Sequence, residues 1–262
     1  MKKNRIIVSL TSFPARIDVV PRVIKSLLSQ SMKPDKVVLY LSKDEFKDKN
    51  LPSSIIDLKN DASFDIVWVN ENIRSYKKLI YALRDFPDDI IITVDDDIDY
   101  PEDLVKNLIK TYKKHPRDIC INRVRYINIK NGIIQPYKEW ELSEKRGLFG
   151  PFFKRGYKNF FCGAGGVLYP PKSLPSETFL TDKFTSLCKH QDDVWFWAMA
   201  VKNNVKISVT RFGYDMRART IKDVQSVGLW QTVNSGDTNP NNIAIENVIK
   251  EYPEIAKKIG CN

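Results

Sequence analysis

Acidic side chains gather at two places in this chain, and the first place directly follows a run of strand-forming residues. Residues 90–97 read Ile-Ile-Ile-Thr-Val-Asp-Asp-Asp. The five leading residues predict a strand buried on both faces. Because side chains alternate along an extended chain, Asp95 and Asp97 can lie on the same side. Two such carboxylates repel unless a cation lies between them, and oxygen ligands favour Mg²⁺ or Mn²⁺. The sequence therefore predicts a divalent-metal site where a central strand ends.

The second acidic pair, Asp192 and Asp193, opens an apolar segment that reads Val-Trp-Phe-Trp. A helix is predicted here, and one aspartate is explained as its N-cap, where a carboxylate accepts from free backbone N–H groups. Two aspartates in sequence leave one spare to point into a cleft. The pair is therefore a second candidate site, about 95 residues after the first.

Other acidic motifs fit the first cluster less well. Asp95, Asp96 and Asp99 match the Asp-Asp-x-x-Asp of polyprenyl synthases, but those sites lie on helices, whereas here a β-branched strand leads in. An EF-hand calcium loop needs Gly at its sixth position and Glu at its twelfth, where this chain has Tyr100 and Lys106. A third interpretation is that the aspartates cap a helix beginning at Pro101. We assign Asp99 to that local role, because three further acids exceed what capping needs.

Short strands and helices alternate before and after this cluster. We predict strands at 6–10, 36–41, 65–69, 90–94, 124–129, 166–169 and 205–209. We predict helices at 19–29, 55–58, 76–84, from 101 onward, at 193–203 and at 243–250, with Asp18 and Ser75 as caps. This order predicts a largely parallel sheet covered by helices, with ligand sites at the carboxyl ends of its strands. We expect one α/β domain over 1–262, with its nucleotide half ending near residue 100.

Composition narrows the class of protein. Of the 262 residues, 42% are hydrophobic and 28% are charged, and no apolar run approaches the ~18 residues of a membrane span. The start lacks the apolar region of a signal peptide, and the four cysteines match no zinc or redox motif, so we expect a cytoplasmic protein with reduced thiols. Three kinds of partner could explain the formal charge of +10, namely a phosphorylated substrate, an anionic membrane surface or nucleic acid. The alternative is that the charge only keeps the protein soluble.

Several segments carry a resemblance to a known family. They are residues 8–16 (Val-Ser-Leu-Thr-Ser-Phe-Pro-Ala-Arg), 26–30 (Ser-Leu-Leu-Ser-Gln), 75–79 (Ser-Tyr-Lys-Lys-Leu), 86–88 (Phe-Pro-Asp) and the acidic strand. With these segments the chain resembles nucleotide-sugar glycosyltransferases of the GT-A fold, family 2-like, of the bacterial surface-polysaccharide type. The resemblance implies an α/β, Rossmann-like, mostly parallel sheet flanked by helices, with a small irregular acceptor-side subregion. The chain departs from the family 2 pattern at two places. Residues 41–44 read Leu-Ser-Lys-Asp where an acidic pair is usual, and the chain has no candidate for a C-terminal histidine that binds the metal.

The resemblance also implies roles for particular residues. Asp95 and Asp97 would hold Mn²⁺ or Mg²⁺ against the donor's two phosphates, and Asp96 would reach the ribose. By position the general base is Asp193, with Asp192 as the runner-up. Further residues are expected on the donor-binding edge, and for the lysines a solvated helix face remains the alternative. They are Thr11, Arg16, Arg74, Lys77 and Lys78.

Two further segments have competing interpretations. Residues 162–167 (Cys-Gly-Ala-Gly-Gly-Val) resemble the small-residue segment beneath the donor sugar, with Gly165 as a donor contact, although a turn or bulge explains glycines equally well. Residues 137–161 hold eight aromatic residues and six cationic ones. They could form an acceptor-binding lid, a contact with an anionic inner membrane, or a loop whose aromatic rings pack in the core. No nucleic-acid recognition motif accompanies them, so we expect no nucleic-acid partner.

The leading hypothesis is a metal-dependent, inverting glycosyltransferase. It would move a sugar from a nucleoside-diphosphate donor, a UDP-sugar first among them, to a hydroxyl of a bacterial surface glycan such as a capsule or O-antigen, with a polyprenyl-diphosphate-linked glycan as one candidate acceptor. A retaining enzyme of the same fold would bind metal in the same way. A nucleotidyltransferase should have a glycine-rich phosphate loop after strand one, and residues 11–17 contain no glycine. A non-catalytic glycan- or nucleic-acid-binding module would leave the acidic residues without a task.

Overall fold

The structure, a computed structural model, describes residues 4–48, 50–143, 152–215, 219–222 and 239–261. The described chain begins with an alternation of strands and helices. These elements are β1 (Ile6–Thr11), α1 (Val20–Leu28), β2 (Lys36–Ser42), α2 (Ser53–Ile56), β3 (Phe64–Val69), α3 (Lys77–Asp85), β4 (Ile90–Thr93) and α4 (Leu104–Lys114). Every residue of β4 is buried, which confirms the prediction of a strand covered on both faces.

The second half is more irregular, as its sequence indicates. Its elements are β5 (Ile119–Ile121), β6 (Val124–Tyr126), β7 (Ile129–Lys130), β8 (Ile133–Ile134), β9 (Glu141–Ser143), β10 (Asn159–Phe161), β11 (Val167–Tyr169), α5 (Thr181–Leu187), α6 (Asp192–Lys202), β12 (Ile207–Val209), α7 (Pro240–Glu251) and α8 (Pro253–Ile259). The single strand predicted at 124–129 is wrong, because the chain leaves β6 before it enters the hairpin of β7 and β8.

Predicted caps fare worse than predicted elements. A 3-10 turn, Pro14–Val19, precedes α1, so Asp18 lies inside that turn and caps nothing. Ser75 likewise lies in the 3-10 turn Arg74–Tyr76 before α3, which has no side-chain cap. Because 3-10 turns satisfy backbone groups locally, these helices begin without the capping residue that the sequence suggested.

One seven-stranded sheet runs through both halves of the chain, in the order β12-β5-β11-β4-β1-β2-β3. β1 pairs in parallel with β2 and β4, and β2 pairs in parallel with β3. β11 is antiparallel to both of its neighbours, β4 and β5. The predicted mostly parallel α/β sheet flanked by helices is therefore confirmed. Since β1 to β4 are parallel, their carboxyl ends meet at one edge, and the acidic cluster after β4 lies there.

Core residues divide between the two faces of this sheet. Successive residues of a strand point to opposite faces, so Ile7 and Ile91 belong to one buried cluster and Val8 and Ile92 to the other. The first cluster includes α3 and the fully buried residues of α6, and the second includes α1 and α4. The start of α3 and the start of α6 are consequently held close together on one face.

The described residues among 137–161, the segment rich in aromatic and cationic residues, contribute mainly to this core. Tyr137, Trp140, Phe160 and Phe161 are buried and pack against one another, which confirms the core-packing interpretation for these four rings. Phe152 differs, since 80% of its surface is exposed. A loop tip is predicted at residues 149–153 (Phe-Gly-Pro-Phe-Phe), of which 149–151 lie outside the described residues.

Candidate functional site

Asp95 lies just beyond β4, and a buried tyrosine holds its backbone. The ladder between the first and fourth strands extends to Val94, whose N–H donates to the carbonyl of Ser9 at 3.1 Å. The next N–H, that of Asp95, donates to the Tyr100 hydroxyl at 2.8 Å, and this hydroxyl donates to the Ala164 carbonyl at 3.1 Å. Tyr100 therefore ties the acidic cluster to the small-residue segment that precedes β11.

Lys78, in the first turn of α3, joins the two acidic clusters. Its Nζ lies 2.7 Å from Asp95 Oδ1 and 3.2 Å from Asp192 Oδ2, the second contact being an ion pair without hydrogen-bond geometry. Burial disfavours the charge on this lysine. The charges of Asp192 and Asp95 outweigh burial and raise the Lys78 pKa well above its ordinary value. The ammonium is therefore a fixed positive charge between the clusters.

A second cation, Arg16, serves the other two aspartates. Its Nη1 lies 2.8 Å from Asp96 Oδ1 and 3.1 Å from Asp97 Oδ2. The Ser12 hydroxyl donates to Asp96 Oδ2 at 2.6 Å. Both oxygens of Asp96 are thus occupied, and burial raises its pKa although Arg16 and Ser12 act in the opposite direction. In this structure Asp96 holds the loop after β1 against the end of β4.

Asp193 faces the same space from α6. Its Oδ2 accepts from the Gly163 N–H at 2.9 Å. Although the residue keeps some exposed surface, protein surrounds its carboxylate, and this burial, followed by the charge of Asp192, raises the Asp193 pKa to about 8. Lys78 and the Gly163 N–H act in the opposite direction. A carboxylate with a pKa near neutrality can take up a proton and release it again, which a general base must do.

Gly163 faces the space enclosed by these groups. A Cβ added at this glycine would lie 3.0 Å from Asp193 Oδ1, 3.4 Å from Lys78 Nζ and 3.6 Å from Asp95 Oδ1. The position of the absent side chain is therefore bordered by members of both clusters. Gly165 is required for a different reason, because a Cβ there would lie 2.3 Å from the Cβ of Arg123. Its tight packing explains the glycine without any donor contact.

The acidic pair of α6 does not cap its helix. Gln191 is the N-cap residue, and Asp192 and Asp193 lie in the first turn without a side-chain cap bond. The prediction that one of them is an N-cap is therefore wrong. Asp99 does not cap α4 either, because the N-cap residue is Asp103, and Asp99 forms an ion pair with Arg22 at 2.8 Å. Both carboxylates of the pair in α6 remain for the site.

The other residues predicted for the donor edge have partners of their own. The Thr11 hydroxyl donates to the Tyr40 carbonyl at 2.7 Å. Lys77 is buried and pairs with Glu45 and Asn72 rather than facing solvent, so the solvated-face interpretation is wrong for it. Arg74 is exposed beside His190, with 3.0 Å between Nη1 and Nε2, and its φ of 56° is left-handed.

Sequence reasoning missed three residues that shape the site. Ser12 and Gly163 lie within segments that the family resemblance had marked, so their positions were signalled although they were not selected. Tyr100 was noticed only because it is incompatible with a calcium loop. Nothing in the sequence indicates that its hydroxyl accepts from the residue five positions earlier and donates to a carbonyl 64 positions later.

The contacts of Asp95 and Asp97 bear on whether a metal ion could bind at this site. Among residues of the described ranges, no group of three or more His, Cys, Asp or Glu side chains could hold a metal ion by itself. Asp95 and Asp97 supply two carboxylates, and the ion pair of Asp95 with Lys78 uses Oδ1, which leaves Oδ2 as a ligand. Oxygen ligands of this kind suit Mg²⁺ or Mn²⁺, both of which commonly take their remaining ligands from substrate phosphates and water. The residues therefore fit a metal held jointly with a phosphorylated donor.

The mostly parallel sheet and the acidic cluster at its carboxyl edge define an α/β protein of the GT-A, Rossmann-like type. Residues 10–174, more than half of the chain, match the model of glycosyl transferase family 2, and the chain belongs to this family. Membership indicates an enzyme that uses a nucleotide-activated donor, either a nucleotide-sugar transferase or a related nucleotidyltransferase.

Solved structures show the same fold at low sequence identity. A 4-diphosphocytidyl-2C-methyl-D-erythritol synthase is 12% identical, with a TM-score of 0.51 over 86% of this chain and 96% of that one. S. aureus TarS 1-349 is 13% identical, with a TM-score of 0.50 over 95% of this chain and 72% of that one. The same TarS fragment in complex with UDP is 14% identical, also with a TM-score of 0.50, over 95% of this chain and 72% of that one.

Two further comparisons have negative results. A search of curated proteins found no significant match. Within the described part of the chain, none of the helices combines the length and the apolar character that a membrane crossing requires.

Proposed function

We propose that this protein is a metal-dependent, inverting glycosyltransferase that moves a sugar from a nucleoside-diphosphate donor, most simply a UDP-sugar, to a hydroxyl of a glycan. The observation that carries the proposal is the meeting of two carboxylate clusters at one small gap. Asp95 Oδ1 and Asp193 Oδ1 both lie within 3.6 Å of the position that a Cβ of Gly163 would take. One cluster suits a donor diphosphate and the other suits an acceptor hydroxyl.

The donor side would be formed by Asp95 and Asp97. A Mn²⁺ or Mg²⁺ ion bound there with the diphosphate would stabilise the negative charge that develops on the leaving group. Arg16 supports this side because it holds Asp96 and Asp97 through one guanidinium nitrogen. The UDP complex of TarS, which shares the fold, supports a uridine nucleotide as the first donor to test. The ribose contact of Asp96 stays a prediction, since both of its carboxylate oxygens accept hydrogen bonds from Ser12 and Arg16.

The acceptor side would be formed by Asp193. As base it would take the proton of the acceptor hydroxyl, whose oxygen attacks the anomeric carbon opposite the leaving diphosphate. The Gly163 N–H holds Oδ2 of Asp193, which leaves Oδ1, the oxygen nearer the gap, for the proton. Asp192 stays the alternative base, but its buried carboxylate lies against Lys78. This contact favours Asp193.

The biological setting of the reaction belongs to the same proposal. A bacterial surface glycan, such as a capsule or O-antigen built on a polyprenyl diphosphate, is the acceptor class that the family resemblance suggests. Exposed Phe152 and, two residues further on, exposed Lys154 support peripheral contact with an anionic membrane on the cytoplasmic side. Free cysteines at all four positions suit that reducing compartment.

A thermal-shift panel tests the proposed function. UDP, GDP and CMP sugars are each added with and without Mn²⁺, and CTP is included because a nucleotidyltransferase would bind a triphosphate. We expect one nucleoside-diphosphate sugar to raise the Tm in a Mn²⁺-dependent way, by mass action on the folded state. Asp97→Asn should abolish the Mn²⁺-dependent part of the shift. Stabilisation by CTP alone, or a shift that Asp97→Asn leaves unchanged, would contradict the proposal.

A further inference from the structure

Lys78 contacts both acidic clusters through one ammonium group. Its side chain is 8% exposed, and its Nζ contacts Asp95 from the segment after β4 and Asp192 from the first turn of α6. The backbone at this point is also fixed, because the Ser9 hydroxyl of β1 donates to the Lys78 carbonyl. The ammonium can therefore shift between its two carboxylates only by rotation of the side chain.

The charges around this ammonium are unbalanced. Asp95, Asp192 and Asp193 all act on Lys78 electrostatically, and each favours its charged form. Arg16 neutralises the other side of the first cluster, at Asp96 and Asp97. One buried lysine thus lies among three carboxyl groups from two segments that are far apart in the chain. Buried carboxylates without a counter-ion repel one another and disfavour the folded arrangement.

We propose, on the basis of the proposed function, that Lys78 is a positioning residue that the two clusters share. Its ion pairs with Asp95 and Asp192 hold the second acidic pair close to the carboxylates that would bind the metal. A divalent cation bound beside Asp95 would displace the ammonium from that carboxylate and leave it on Asp192. This role differs from the place on the donor-binding edge that the family resemblance implies, because Lys78 acts through carboxylates and not on the donor.

Replacing Lys78 should change the affinity for a divalent cation in the opposite direction to the loss of an ordinary structural ion pair. An ammonium 2.7 Å from a metal ligand repels an incoming divalent cation and competes with it for the same oxygen. Removing the ammonium should therefore strengthen metal binding, although it removes a native ion pair. A lysine with only a structural role would give unchanged or weaker metal binding when it is replaced, since loosened carboxylates bind a cation less well.

Calorimetric titration with Mn²⁺ at saturating UDP, and then with UDP at saturating Mn²⁺, tests the inference on the full chain. We expect Lys78→Met to bind Mn²⁺ about tenfold more tightly than the wild type, with UDP affinity changed less than threefold. Lys78→Arg keeps the charge and should stay within threefold for both ligands. The matched control is Lys36→Met, which removes a lysine paired with Asp65 at the opposite, amino-terminal end of β2. It should leave Mn²⁺ binding unchanged.

A double-mutant cycle with Asp192→Asn tests the sharing itself. In the wild-type background this substitution frees Lys78 for Asp95 and should weaken Mn²⁺ binding about threefold. In the Lys78→Met background it should change Mn²⁺ affinity by less than twofold, because the lysine that transmits the effect is gone. The double variant removes a positive and a negative charge together, so it remains measurable even if Lys78→Met alone folds poorly.

The outcomes separate this inference from the proposed function. If the wild type binds neither Mn²⁺ nor UDP, both are overturned. If the wild type binds Mn²⁺ and UDP but Lys78→Met does not bind Mn²⁺ more tightly, only the role of Lys78 is overturned. Equal effects of Asp192→Asn in the two backgrounds would likewise overturn the sharing. A loss of UDP affinity at saturating Mn²⁺ in Lys78→Met would also overturn it, because it would indicate that Lys78 contacts the donor directly.

Discussion

Gly163→Ala is the perturbation that tests the site geometry most directly. The added methyl group would lie 3.0 Å from Asp193 Oδ1, closer than ordinary van der Waals contact, and 3.4 Å from Lys78 Nζ. Its φ is not left-handed, so the backbone accepts alanine and the strain falls on the side chains. The carboxylate must move by a few tenths of an ångström, away from the space that the acceptor hydroxyl would occupy.

The expected magnitudes differ for folding and for activity. Overpacking costs about 1–3 kcal/mol, and replacing glycine returns about 0.4–1 kcal/mol by restricting the unfolded chain. The free energy of unfolding should therefore fall by only about 1 kcal/mol. Turnover should fall about 100-fold, since small misplacements of a catalytic group have effects of this size, and this corresponds to about 2.7 kcal/mol in the activation barrier.

Two other glycines serve as controls in the same assays, urea unfolding and release of nucleoside diphosphate from the donor that the panel identifies. At Gly165 an added Cβ would lie 2.3 Å from the Arg123 Cβ, so alanine should cost about 3 kcal/mol or more in stability. At Gly156 the nearest atom is 4.0 Å away, and alanine should change stability by less than about 1 kcal/mol. If Gly163→Ala kept turnover within twofold of the wild type, the placement of Asp193 at the reacting centre would be refuted.

Two further predictions concern the acidic pair. Asp193→Asn should keep Mn²⁺-dependent donor binding but lose transfer about 100-fold or more, whereas near-full turnover in Asp193→Asn together with its loss in Asp192→Asn would move the base by one residue. In the presence of EDTA, Asp193 has a pKa of about 8 in the folded protein and about 3.9 in the unfolded chain. Between these two pH values the folded state binds one more proton than the unfolded chain, so the stability of the wild type falls as pH rises. Asp193→Asn removes this dependence, so its stability relative to the wild type should increase from pH 5 to pH 8 in urea unfolding, and parallel pH profiles would contradict the assignment of the shift.

Local patterns predicted the elements of the first half well. The residues Ile90, Ile91 and Ile92, followed by acidic residues, predicted the buried strand β4, because an uninterrupted apolar run must be buried on both faces. The alternation of strands and helices was equally visible, and it implies that the carboxyl ends of parallel strands share an edge. Helix caps were predicted poorly at Asp18, Ser75 and Asp99, since 3-10 turns and distant ion pairs competed for the same groups.

Long-range pairing was beyond local patterns. β11 lies in the sheet between β4 and β5 and is antiparallel to both. Nothing in its three residues specifies those neighbours. The Tyr100 hydroxyl reaches Ala164, and Gly163 reaches Asp193, through contacts 64 and 30 residues apart in the chain. Such contacts follow from how the elements pack, and periodicity carries no information about them.

The sequence by itself determined the residue types of the site and the strand end that carries them, because the order of apolar and acidic residues specifies where a buried strand must stop. Only the tertiary structure decided which charges face one another. Lys77 and Lys78 are neighbours in the chain, yet the first pairs with Glu45 and the second lies between Asp95 and Asp192. Adjacent positions on a helix point about 100° apart, and the packing of α3 against the sheet determines which of them faces the site.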